Sequence, residues 1–209
     1  MTAILRRWYR RMRFGDPVIV VSGLPRSGTS MAMKMLEAGG MPLVTDGQRE
    51  ADIDNPKGYF EDERVLHLAE ARDKAWLRGA RGKAVKIISY LLRHLPPDNN
   101  YKILFMRRDL AEVLASQAKM LERRGEANDA DDGRMRELFE TDLWRAGYLL
   151  KHASHVEAVE IHYAEVLADP ESHARLIARF VGGSLDVQRM AEVVEPGLYR
   201  NRAEDRAAP

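Results

Sequence analysis

One short stretch limits what this chain can fold into. Residues 17–22, PVIVVS, are a continuous apolar run rich in β-branched residues. That is the pattern of a strand buried on both faces of a parallel sheet. The run passes directly into Gly23-Leu24-Pro25-Arg26-Ser27-Gly28-Thr29-Ser30. Residues 30–38 then form a helix-favouring stretch with Met31, Met33, Met35 and Leu36, which Gly39-Gly40 stops. A glycine-bounded loop between a buried strand and a helix start lets backbone N–H groups curl inward over the positive end of the helix. Ser27, Thr29 and Ser30 add hydroxyls, and Arg26 adds a cation. The stretch predicts a strand–helix unit whose turn holds an anion.

The remaining chain repeats the alternation. Further strands are expected at 41–44, 84–88, 101–106 and 156–163. Helices are expected at 61–76, 110–121, 137–153, 171–180 and 187–194. Alternating strands and helices imply an α/β fold of three layers, a central parallel sheet with helices on both faces. Residues 45–63 hold seven acids, two basic residues and the turn signal Asn55-Pro56-Lys57-Gly58-Tyr59. Residues 122–136 are dense in charge, least structured over 126–133, and read either as a solvated loop or as a mobile lid. The expected organisation is a basic helix or extension at 1–15, a single α/β domain at 16–199 and a polar tail at 200–209. Nothing in the sequence sets an oligomeric state.

Charge and composition remove several classes. Thirty-three basic residues against 32 acidic ones leave +1, which does not suggest general nucleic-acid binding. The absence of cysteine excludes disulfide frameworks, Cys-type zinc sites and thiol nucleophiles. The six histidines show no metal-ligand spacing, so no metal site is expected. No apolar run is long enough for a spanning helix, and the N-terminus lacks the apolar core of a signal peptide. Residues 1–14 instead combine Arg6, Arg7, Arg10, Arg11 and Arg13 with Ile4, Leu5, Trp8, Tyr9 and Met12 at helical spacing. Two readings stand: a helix packed on the domain by its aromatic stripe with arginines in water, or a basic helix on an anionic membrane surface. The expected location is cytoplasmic, with peripheral membrane contact through residues 1–14 as the second reading.

The loop departs from the nucleotide-triphosphatase pattern, which has lysine where Thr29 stands; the basic group is Arg26, inside the loop. An anhydride ligand without a magnesium-bridged triphosphate fits better. Pro25-Arg26-Ser27-Gly28-Thr29-Ser30 resembles the 5′-phosphosulfate loop of the P-loop sulfotransferases, which use 3′-phosphoadenylyl sulfate (PAPS), in the arginine form common among bacterial members. The strand at 101–106 ends in Arg107-Arg108-Asp109, and Ser116 follows Arg108 by eight residues. This resembles the family's 3′-phosphate motif, in which an arginine fork and a serine two helical turns on meet one phosphate. Arg108 has the better spacing; the alternative is a strand-end arginine paired with Asp109 or Glu112. Tyr163-Ala164-Glu165-Val166-Leu167-Ala168-Asp169-Pro170 resembles a third family segment whose tyrosine lies on the adenine side.

The resemblance implies sulfuryl transfer from PAPS to a hydroxyl of a small molecule, glycan or lipid, with no metal. Arg26, Ser27, Gly28, Thr29, Ser30, Arg108, Ser116 and Tyr163 are the implied cofactor-binding residues. Arg26 would meet charge on the leaving oxygen, and Lys86, near a strand end, would reach the sulfonate. The histidine that cytosolic members place two residues after that lysine is Ile88 here. Asn55-Pro56-Lys57-Gly58-Tyr59-Phe60-Glu61 resembles a segment of bacterial members in which the acid after the aromatic pair faces the site, so the resemblance implies Glu61 as the first candidate for the base. Asp46, which follows the 41–44 strand at the carboxyl edge of the sheet, is the second. The competing readings are a P-loop kinase and a non-catalytic nucleotide-binding protein of the same fold.

Overall fold

The computed structural model describes residues 3–46, 60–123, 125 and 132–195. The turn signal at 55–59, the stretch 126–131 and the tail 200–209 lie outside the described residues.

The valine-rich run forms strand β1 (Val18–Gly23), buried along its whole length. Alternate residues face opposite sides. Ile19 and Val21 pack with Met33, Met35 and Leu36 of helix α2 (Thr29–Ala38). Val18 and Val20 pack with Leu77, Leu91 and Leu92 on the other face. The central strand therefore belongs to two cores at once, which is why it tolerates no polar residue before Ser22.

Four more strands join it: β2 (Leu43–Val44), β3 (Ala84–Lys86), β4 (Tyr101–Arg107) and β5 (Val156–His162). The order is β2-β3-β1-β4-β5, and every pair is parallel. Helices cover both faces, as expected. On the Ile19 side α2 is joined by α6 (Tyr163–Ala168), α7 (Pro170–Val181) and α8 (Val187–Glu192). On the other side lie two 3₁₀ segments, Ala75–Ala80 and Ser89–His94, and residues of α5 (Asp132–His152). Gly39 allows α2 and α8 to approach; a Cβ there would sit 2.7 Å from Met190. A parallel sheet gathers the carboxyl ends of all its strands on one edge, where ligands of such folds bind. Gly23 pairs there with Met106, and Arg107 with His162.

Several boundaries differ from expectation. The helix expected at 61–76 shrinks to α3 (Glu63–Leu66). Asp62 caps it by accepting from the Arg64 N–H, and Asp73 accepts from the Ala75 N–H to start the first 3₁₀ segment. Short acidic side chains that bond the nearby backbone compete with helix continuation. Val65 and Leu68 still reach the core, through a turn. The strand expected at 41–44 begins only at Leu43, because Pro42 has no N–H to pair, although its carbonyl accepts from Ala84. The strand at 84–88 ends at Lys86, where the chain bends into the 3₁₀ segment at Ser89. Residues 132–136, expected as loop, already belong to α5, in which Arg136 pairs with Glu140 one turn on. The strand at 156–163 ends at His162, so Tyr163 opens α6.

The N-terminal segment is helix α1 (Ala3–Phe14), but its aromatic stripe does not pack on the domain. Leu5, Trp8, Tyr9 and Met12 are all at least half exposed. The helix docks through Arg10, which donates to Asn100 Oδ1 (3.1 Å) and to the carbonyls of Pro97 (2.6 Å) and Asn99 (2.8 Å). Asn100 donates back to the carbonyls of Arg10 and Gly15. A guanidinium satisfying three acceptors outcompetes apolar packing here because strand β4 starts immediately beyond, leaving those carbonyls at the amino edge of the sheet. Among the described residues no helix is long and apolar enough to cross a membrane.

Candidate functional site

The loop after β1 is held open by two glycines. Gly23 has φ 151°, and a Cβ there would collide with Ser27 Oγ at 2.5 Å and the Met106 carbonyl at 2.6 Å. Gly28 has φ 102°, and a Cβ there would lie 2.5 Å from the Tyr163 ring. Ser27 is buried, and its hydroxyl donates to the Leu24 carbonyl at 2.7 Å, so it braces the loop from within. Thr29 and Ser30 open α2, whose N-terminus carries no side-chain cap and adds its dipole to the loop. Arg26 adopts φ 66°, the left-handed region that costs an L-residue about 1 kcal/mol. That strained backbone turns its side chain across the sheet edge, where Nε donates to Ser116 Oγ at 3.0 Å.

Ser116 sits on helix α4 (Leu110–Arg123), which follows β4. Asp109 starts this helix by accepting from the N–H groups of Ala111 and Glu112. Between strand and helix, Arg108 points back at the loop and donates to the Arg26 carbonyl at 3.1 Å. Its Nε donates to Glu112 Oε2 at 2.9 Å, in a pair whose side chains are 9% and 5% exposed. The guanidinium lies over the Tyr163 ring, 4.7 Å from the centroid. Burial raises the Tyr163 phenol above its ordinary pKa, with Arg108 opposing the shift. Arg107 points elsewhere, to Glu160 on β5 at 3.8 Å. Arg108 therefore makes the alternative ion pair with Glu112, in a buried rather than a surface bridge, and it also lies against the loop.

Lys86 ends β3 beside Val21, two positions before Gly23 in the neighbouring strand. Its Nζ donates to Glu61 Oε1 at 3.0 Å, with the lysine side chain only 15% exposed. Asp46 follows β2 and accepts from the Glu63 N–H at 2.6 Å. The Glu61 carbonyl in turn accepts from Asp46 N and Thr45 Oγ1. The carboxyl edge thus carries two polar groups: an arginine–serine–tyrosine cradle around the loop, and a lysine–glutamate pair beside it. Arg26, Lys86, Arg108, Ser116, Tyr163, Glu61 and Asp46 all lie along this edge.

Two features escaped the sequence. Ser89 donates a hydrogen bond to Asp142 of α5, whose carboxyl is raised above the usual carboxylate range by burial, with Ser89 opposing. No spacing links residues so far apart. The contact of Gly28 with Tyr163 also joins two segments with no shared pattern.

The open parallel sheet thus brings a helix start with no side-chain cap, a glycine-bounded loop and two arginines together at its carboxyl edge, a set of donors whose chemistry suits an anion. The family pattern of the sulfotransferase domain matches residues 16–201. The chain belongs to the sulfotransferase family. Its fold is similar to that of the sulfotransferase domain from the curacin biosynthetic pathway, with a TM-score of 0.52 and 13% identity over 86% of this chain and 78% of that one. A looser similarity, with a TM-score of 0.48 and 18% identity over 90% of this chain and 68% of the other, is to retinol dehydratase in a complex with retinol and PAP. No curated protein matches the chain.

Proposed function

We propose that the chain transfers the sulfuryl group of PAPS to a hydroxyl of an acceptor. The observation that carries this reading is the meeting of two anion-directed segments. Arg26 of the loop contacts Ser116, and Arg108 contacts the loop backbone, across 90 and 82 residues of sequence. A ligand with phosphates at both ends of a nucleoside needs such a pair.

In this reading the loop N–H groups, Thr29 and Ser30 hold the 5′-phosphosulfate, and Ser27 keeps the loop in shape. Arg108 and Ser116 take the 3′-phosphate, and Tyr163 lies on the adenine side. The acceptor oxygen attacks sulfur in line, the bond from sulfur to the 5′-phosphate oxygen breaks, and adenosine 3′,5′-bisphosphate leaves. Arg26 meets the charge growing on that oxygen, and Lys86 meets the sulfonate oxygens. Glu61, 3.0 Å from Lys86, takes the acceptor proton. Asp46, bonded to the start of α3, orders the Glu61 segment. The acceptor is a small molecule, a glycan or a lipid bearing a hydroxyl.

Calorimetry tests the donor. Adenosine 3′,5′-bisphosphate should bind without magnesium and more tightly than ATP with magnesium. The reverse order would favour a kinase. Tight bisphosphate binding with no label transfer from PAPS to any phenol or sugar acceptor would favour a non-catalytic binding protein.

A further inference from the structure

We infer that α1 is a docking element for an anionic bilayer surface. This inference is independent of the sulfuryl-transfer reading. Leu5, Trp8, Tyr9 and Met12 fall at i, i+3, i+4 and i+7, which is one stripe of a helix. They are 55%, 63%, 50% and 69% exposed. The opposite side of the helix carries Arg10, whose three bonds to Pro97, Asn99 and Asn100 hold it to the domain. The helix is therefore bolted down by its polar side with its apolar side turned outward, the reverse of an ordinary surface helix.

The charge and the aromatic types select the occupant. Residues 1–14 contain five arginines and no acidic residue. Arg11 flanks the stripe and is 73% exposed, in an ion pair with Asp16. Tryptophan and tyrosine favour the boundary between headgroup and acyl chain, and arginine favours anionic lipid. A second copy of the chain fits poorly, because a two-fold contact through this face would bring two arginine-rich helices together. A helix of twelve residues with one apolar stripe gives reversible rather than permanent attachment. The docked face lies at the amino edge of the sheet, where Arg10 meets the residues before β4. The loop and Arg108 lie at the other edge, about 20 Å away across a six-residue strand.

Vesicle flotation of the full chain tests this. The chain should float with vesicles of phosphatidylglycerol mixed with phosphatidylcholine, and stay in solution with phosphatidylcholine alone or in high salt. Trp8→Glu should weaken vesicle binding about tenfold or more, while its bisphosphate affinity and unfolding temperature match the parent. Trp8→Phe, which cannot be blamed for lost folding, should keep binding but lose the quenching of tryptophan fluorescence by lipids brominated near the headgroup. Failure to float with anionic vesicles would overturn the inference. So would equal flotation of Trp8→Glu, or a concentration-dependent dimer that Trp8→Glu abolishes. Bisphosphate binding measured on the same samples reports the donor site separately.

Discussion

The two edges of the sheet use arginine in opposite ways. At the amino edge Arg10 lies 4.7 Å from the Phe14 ring centroid and bonds two backbone carbonyls and an asparagine. At the carboxyl edge Arg108 lies 4.7 Å from the Tyr163 ring centroid and bonds a backbone carbonyl and a glutamate. The side chains are alike, and so are the rings beneath them. The difference lies in the acceptors. Arg10 is bound to acceptors that are part of the fold and cannot be exchanged. Arg108 also bonds a backbone carbonyl, but its Nε meets the buried carboxylate of Glu112, a counter-ion that a phosphate would supplement in the proposed reading. Residue type and the ring beneath it therefore do not separate the structural role of Arg10 from the ligand-binding role proposed for Arg108; the chemistry of the partners is what differs.

Substitutions can break this contrast, and the largest effect is expected at the loop. Arg26→Ala should lower sulfuryl-transfer turnover about a hundredfold or more, roughly 3 kcal/mol, with a smaller change in bisphosphate affinity. Arg26→Lys should recover part of the rate, and single-turnover kinetics with labelled PAPS would read both. If bisphosphate affinity falls as far as turnover, Arg26 acts in ground-state binding instead. Next, Arg108→Ala should cost about 2–3 kcal/mol of bisphosphate affinity by calorimetry. Adenosine 5′-phosphosulfate, which lacks the 3′-phosphate, should bind almost unchanged; equal losses would assign Arg108 to the fold, as for Arg10. Arg10→Ala should show the converse, a loss of about 1–2 kcal/mol of stability in denaturant unfolding with bisphosphate affinity unaltered. The smallest effect is expected for Glu112→Gln, which keeps the shape of the counter-ion and removes its charge. The unliganded variant should melt slightly lower, and the deficit should close when bisphosphate supplies the missing anion. A deficit that persists at saturation would mean the phosphate does not reach Arg108.

How much of this was readable beforehand follows from where each bond is made. The strand–loop–helix at 17–38 was legible because its determinants are local: β-branched residues, two glycines and a helix stop. The strand end at Arg107-Arg108 and the helix that carries Ser116 were legible for the same reason, and it is Arg108 rather than Arg107 that meets the loop. The span 61–76 was not, because Asp62 and Asp73 bond the backbone beside them, and Val65 and Leu68 have the same spacing in a turn as in a helix. The orientation of α1 was not, because an apolar stripe ordinarily turns inward, and the carbonyls that reverse it lie almost ninety residues away. The ion pair of Lys86 with Glu61 joins two elements with no shared periodicity. The loop was written locally; its surroundings were written in the topology.

The contact of Gly28 with Tyr163 has a consequence for assembly. The loop belongs to the first strand of the sheet, whereas the ring that closes its wall arrives with the last strand, at the far edge. Early in synthesis the loop can take its turn, but it has no wall until β5 has paired with β4. The anion affinity proposed for the loop would thus be a late property of the folding chain and an indicator that the outermost strand is in place. Conversely, in the proposed reading a bound donor would fasten that strand. Amide exchange along β5, ordinarily the quickest to open in a sheet with an exposed margin, should slow when bisphosphate is present.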